Sequence, residues 1–177
     1  EMLLADVQND SLYRLTCPSG HETRVWLQNQ KFELLFDSGC LALLDGYFYE
    51  AVSSIAAALE RFLEFYLHVI FLKQVVGHKL LPEIVERTSA SQPDPFEKTW
   101  KQVAKQSERQ FGAFLFIYLL ETGNPPEAID DRKLKSYSGK SLRSFRNDVI
   151  HNGYVPSRAQ VIEYGEYIFQ FVRAILS

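Results

Sequence analysis

The sequence predicts an all-α fold: a helical bundle of four to five main helices preceded by a short N-terminal β-hairpin. Three observations predict it. Apolar residues recur at spacings of three and four over long segments, which is the signature of buried helix faces. Clusters of Gly, Pro and Asn cut those segments apart. The chain of 177 residues is 46% hydrophobic and 14% aromatic, enough apolar area for one core in one domain.

Residues 1–28 read as an N-terminal arm and hairpin, and residues 29–177 as the helical domain. In the arm, Leu12–Thr16 and Thr23–Leu27 flank Pro18-Ser19-Gly20, apolar and β-branched runs around a turn cluster. A first helix is expected over Lys31–Leu44, stopping before Gly46. A second runs from Tyr47 to about Val76, with Val52, Ile55, Ala56, Leu59, Phe62, Leu63, Tyr66 and Val69 on its stripe. Its small-residue run Ser53–Ala58 would let another helix come close. Gly77, Pro82 and Ser89–Pro95 mark a loop. A helix or helix pair follows over Phe96–Glu121, closed by Thr122-Gly123-Asn124-Pro125-Pro126. The penultimate helix covers about Ser141–His151 and ends at Asn152-Gly153, a pair suited to a left-handed C-terminal residue. The last opens at Ser157, where Ser157 and Gln160 match a capping box, and its expected stripe is Val161, Ile162, Ile168, Phe169, Val172, Ile175 and Leu176.

Composition narrows the setting. Two cysteines, Cys17 and Cys40, are too few for a disulfide framework. Glu1–Asp10 lacks the basic-then-apolar pattern of a leader, and Phe62–Leu72 and Phe111–Leu120 fall short of a bilayer span. A reducing cytoplasmic location is therefore expected, with no membrane partner. The chain opens Glu1-Met2 and reads as an excerpt from something larger. The net charge of −3 conceals an asymmetry: Arg132, Lys133, Lys135, Lys140, Arg143 and Arg146 follow one another with no acid between them. Such a run is either a solvated face or a phosphate-contacting patch.

That run leads into the helix ending at His151. At about 100° per residue, Leu142, Phe145 and Val149 share one narrow arc, which should face the core. Lys140, Arg143, Arg146, Asn147 and His151 share another of about 140°, with Ile150 the one apolar intruder. An imidazole can take a proton at neutral pH, and a permanently charged guanidinium can hold a phosphate and stabilise charge growing on it. Asn147, one turn before His151, could orient either partner. This chemistry asks for no metal and no cofactor.

Arg146-Asn147-Asp148-Val149-Ile150-His151 resembles the signature of the HEPN superfamily: Arg, a polar residue, then His after four to six intervening positions. Leu43–Val52 followed by Ala58-Leu59-Glu60 is similar to that family's early helices, and Gly153–Pro156 leads into a final helix in the same way. The resemblance covers roughly Phe32 to Leu176. It implies a homodimer with one composite site and, in many members, a metal-independent endoribonuclease of toxin, antiphage or RNA-processing systems. By that likeness His151 would move the 2′-hydroxyl proton, Arg146 would stabilise the phosphorane on the way to a cyclic phosphate, and Asn147 would support the geometry. Lys140, Arg143 and Tyr154 would contact the RNA substrate. An antitoxin or a fused sensor domain would be a further partner. Other members are catalytically silent and bind RNA or protein. In some toxins a Tyr two positions after the His is modified by a partner enzyme; Tyr154 stands three after His151, so that role is not carried over.

Three other patterns admit more than one reading. Cys17-Pro18-Ser19-Gly20-His21 is similar to half of a zinc knuckle, but a structural site takes four ligands, and a hairpin turn is the expected reading. Ser138-Gly139-Lys140-Ser141 ends like a phosphate-binding loop, yet Leu134 stands where the first glycine belongs. Glu50, Glu60 and Glu64 on the second helix would be an acidic accessory to the site, or solvent-facing.

Overall fold

The structure, a computed structural model, describes residues 12–77 and 95–177. The leader reading at Glu1–Asp10 and most of the expected loop between Gly77 and Pro95 lie outside the described residues. Contacts divide the chain into two units, Glu1–Gln30 and Lys31–Ser177.

The first unit contains the hairpin. Strand β1 (Leu12–Thr16) pairs antiparallel with β2 (Glu22–Trp26), Leu12 opposite Trp26 and Thr16 opposite Glu22. The second strand therefore begins one residue before the expected Thr23. Cys17 N–H donates to the His21 carbonyl at 3.0 Å and Gly20 N–H to that of Cys17 at 2.9 Å. Gly20 has φ +82°, a backbone state that favours a residue without Cβ.

Among the described residues the second unit holds six α-helices: α1 (Lys31–Leu44), α2 (Phe48–Gly77), α3 (Pro95–Val103), α4 (Ser107–Thr122), α5 (Leu142–Asn152) and α6 (Arg158–Leu176). Two 3-10 turns, Ile129–Asp131 and Lys135–Tyr137, join α4 to α5. The fold is thus all-α with an N-terminal hairpin. The 30-residue α2 is its axis, since each of the other five helices touches it.

Why α2 is central follows from its stripe. Ala51, Val52, Ile55, Phe62 and Leu63 are almost wholly buried, and Phe62, Tyr66 and Phe114 interlock edge to face with Phe32 and Phe171. Val69, assigned to the same stripe, is exposed instead. The close approach foreseen at Ser53–Ala58 is made largely by glycines on the neighbouring helices. A Cβ on Gly39 of α1 would stand 2.7 Å from Ile55 Cγ1, and one on Gly165 of α6 would stand 3.2 Å from Ile55 Cδ1.

The last helices are capped as their sequences dictate. Ser141 Oγ accepts from Ser144 N–H, and Gly153 closes α5 at φ +69°. In α6 the Ser157–Gln160 capping box is complete. Its stripe needs correction: Ile162, Phe169 and Leu176 are exposed, while Tyr164, Gly165 and Phe171 face inward beside Val161 and Ile168. The inward positions follow the 3.6-residue period, and the aromatic Tyr164 and Phe171 fill volume that a tally of aliphatic residues overlooks.

The Gly39–Ile55 contact predicts an asymmetry between two helix glycines. Gly39→Ala should destabilise by about 1–3 kcal/mol through overpacking. Gly112→Ala, with no atom within 4 Å of the added carbon, should be neutral or stabilising by up to about 1 kcal/mol. Urea unfolding of both variants measures the difference.

Candidate functional site

Leu142, Phe145 and Val149 of α5 are buried, as the arc requires, so the opposite face is turned outward. Two of the six cations leading into it lie on this helix. Lys140 is not one of them: the helix starts at Leu142 with Ser141 as cap, so Lys140 precedes the helix and the 100° rule does not place it on the polar arc. Its ammonium sits 3.5 Å from Asp148 Oδ2 and 4.9 Å above the Tyr137 ring.

Arg146 is the most engaged residue of the arc. Its Nη2 donates to Glu60 Oε1 on α2 at 2.8 Å, and its Nη1 to Ser107 Oγ at the start of α4 at 3.0 Å. A longer contact of 3.5 Å reaches Asn147 Oδ1. Side-chain exposures of 21% for Arg146 and 29% for Glu60 make this a half-buried pair, less screened than a surface bridge. Three helices thereby fix one guanidinium.

An open cleft of about 340 Å³ lies at this junction. Glu60 lines it from α2; Lys105, Ser107, Glu108 and Gln110 line it from the α3–α4 turn and the first turn of α4. From α5 come Arg146, Asn147 and His151. The structure thus brings together the three residues expected to carry the chemistry. His151 is exposed, and no hydrogen bond or ion pair holds it among the described residues.

The three expected substrate contacts lie elsewhere. Arg143 pairs with Asp131 at 2.7 Å and borders a small hollow next to the cleft, shared with Arg146 and Glu60. Lys140 belongs to the Tyr137–Asp148 group. The Tyr154 hydroxyl exchanges hydrogen bonds with Gln160 at 3.0 and 3.2 Å, and its ring packs on Tyr137 and Phe145. The basic run is also largely compensated: Arg132 pairs with Glu127, Lys140 with Asp148, Arg143 with Asp131 and Arg146 with Glu60. The ammonium groups of Lys133 and Lys135 have no acidic partner among the described residues.

Two residues of the cleft carry no signal of their own in the sequence, Ser107 and Gln110. Gln110 is only 2% exposed. Its Nε2 donates to the Ala104 carbonyl at 3.3 Å, while its Oε1 is buried without any partner. An unpaired buried amide oxygen costs about 1–3 kcal/mol. Glu60 is one of three glutamates of α2, with Glu50 and Glu64, that the sequence does not tell apart. No group of three or more His, Cys, Asp or Glu side chains is placed to hold a metal among the described residues.

Beside the cleft, Asp148 Oδ2 accepts from the Tyr137 hydroxyl at 2.6 Å and Oδ1 from Asn152 at 2.8 Å. The Tyr137 bond, then that of Asn152, holds the Asp148 carboxyl below its ordinary range. The same Asp148 bond pushes the Tyr137 phenol up, and Tyr137 and then Asp148 raise Lys140. Compared with known proteins, the chain matches no family model, no curated protein and no solved structure.

Because Asp148 ionises more readily folded than unfolded, its stabilising share is full above the ordinary carboxylate range and is lost as pH falls through its folded value. Tyr137→Phe should therefore lose less stability than the parent between about pH 5 and about pH 2. Melting curves at both ends of that window measure the difference, and equal losses would refute it.

Proposed function

We propose that the chain is a metal-independent endoribonuclease of the HEPN type, an effector of toxin–antitoxin or antiphage defence. The observation that carries the reading is that Arg146, Asn147 and His151 line one open cleft, with the imidazole exposed and unengaged. In this mechanism His151 takes the proton of a ribose 2′-hydroxyl. The freed oxygen attacks the adjacent phosphorus, and the bond to the 5′-oxygen breaks as that oxygen gains a proton. A cyclic phosphate and a 5′-hydroxyl end result. Arg146 stabilises the charge on the phosphorane, and Glu60 and Ser107 are positioning residues that set its angle. Two copies would pair so that their clefts form one composite site, and an antitoxin or a sensor domain would restrain it.

A second reading has its own support. Arg146 is already held by Glu60 and Ser107, and most of the neighbouring cations are paired. Both features suit a catalytically silent module that binds RNA or protein.

RNA incubated with the purified chain in EDTA separates the two. The nuclease reading expects cleavage that falls by about 10²–10⁴-fold in His151→Ala. Glu60→Gln should lower kcat more than it raises KM, since it loosens Arg146 without touching the ribose. Equal degradation by the parent and His151→Ala would end the enzyme reading. Binding that weakens steeply with salt and yields no product at any ionic strength would establish the silent module.

A further inference from the structure

We propose that the first turn of α4 together with Gln110 forms a recognition subsite for a ribose phosphate, beside Arg146 and His151. Its ligand class rests on the ribonuclease reading of the cleft. The geometry is independent of that reading.

The donors come from the way α4 begins. Its N-cap, Gln106, makes no side-chain capping bond. The first backbone bonds run from Arg109 and Gln110 N–H to the Gln106 carbonyl, at 3.1 and 3.2 Å. The N–H groups of Ser107 and Glu108 thus lack an acceptor among the described residues, at the positive end of a 16-residue helix. Such an end takes a phosphate readily. Arg146 adds to it, because its three contacts use only Nη1 and part of Nη2, leaving Nε–H and one Nη2 hydrogen.

Gln110 supplies the second, separate observation. It lines the same cleft, nine-tenths and more buried, with an acceptor oxygen that nothing satisfies. The terminal torsion of a glutamine is broad. Turning the carboxamide, at the cost of its already long 3.3 Å bond to Ala104, would present Oε1 to a donor in the cleft. A sugar hydroxyl next to a bound phosphate is such a donor. Glu60 and Glu108 border the cleft as well, so bare phosphate binds weakly and the sugar contact contributes much of the selectivity. A free nucleotide and an RNA strand share this chemistry.

Three measurements test the subsite. Titrating inorganic phosphate into the ¹⁵N-labelled protein should shift the Ser107 and Glu108 amide resonances first. Ser107→Pro removes one of those N–H groups at a helix position where proline is tolerated, after a residue whose φ −144° and ψ 133° already suit it. In EDTA, with the His151→Ala background to prevent cleavage, this variant should bind an oligoribonucleotide about tenfold more weakly than Ser107→Ala, which loses only the hydroxyl. Gln110→Met should bring affinity for the oligoribonucleotide down to that for the matching deoxyribonucleotide. A ribonucleoside 3′-phosphate run in parallel tells a nucleotide site, where it binds as tightly as the strand, from a strand site, where it binds far more weakly. Unmoved Ser107 and Glu108 resonances overturn the proposal. So does equal binding by the two Ser107 variants, or an unchanged ribo/deoxyribo ratio in a folded Gln110→Met. Absence of cleavage alongside intact phosphate shifts defeats the nuclease reading and leaves the subsite standing.

Discussion

Ile55 is held between two glycines, Gly39 of α1 and Gly165 of α6, and the placement of the remaining helices depends on that clamp. A methyl group on either glycine would meet the isoleucine inside or at the limit of ordinary contact. The two backbones consequently rest closer to α2 than helices with side chains at those positions could. With α1 and α6 seated, α2 still has a face for α4 and α5, and that face carries Glu60. The residue that holds Arg146 therefore sits on the same rigid helix as the centre of the core, five positions after Ile55. The core and the tether of Arg146 share one element.

The electrostatics of the site are decided by the acids that folding sets against the basic run, most of them local and one distant. In the sequence, the cations from Arg132 to Arg146 stand without an acid among them. In the structure, carboxylates at Glu60, Glu127, Asp131 and Asp148 meet four of them. Only Asp131 and Glu127 are near neighbours in sequence on the N-terminal side, and Glu60 comes from 86 positions away. The result is a cleft of mixed polarity, suited to a ligand that carries hydroxyls as well as charge. A uniformly basic groove would have favoured any polyanion.

Much of this was legible beforehand, for reasons that can be named. Helix ends were clear wherever local chemistry sets them: Ser141 and Ser157 cap by their own hydroxyls, and Gly153 stops α5 by its backbone freedom. The inward residues of α5 followed from periodicity. Periodicity was less informative on α6, where apolar residues occupy both faces and Ile162 and Phe169 look as core-like as Ile168. The arc of α5 brought Arg146, Asn147 and His151 together correctly, but Lys140 lay beyond the cap, where a helical angle has no meaning. Ser107 and Gln110 could not be found from sequence, because their relation to Arg146 exists only after α4 has folded against α2 and α5. The same holds for choosing Glu60 over Glu50 and Glu64.

The loop before α5 is tethered to the helix that follows α5 as well as to α5 itself. Glu163 of α6 accepts hydrogen bonds from the N–H groups of Lys135 and Ser136 and from the Ser136 hydroxyl, and Gln160 donates to the Ser136 carbonyl. The segment that delivers Arg146 and His151 thus draws part of its support from residues beyond it, while Glu60 and Ser107 hold Arg146 from earlier in the chain. During synthesis, a growing chain that has just exposed His151 still lacks the Gln160 and Glu163 tethers. Because translation runs from the N-terminus, these tethers leave the ribosome after every residue that lines the cleft, so the loop's fixing is completed later than the lining is synthesised.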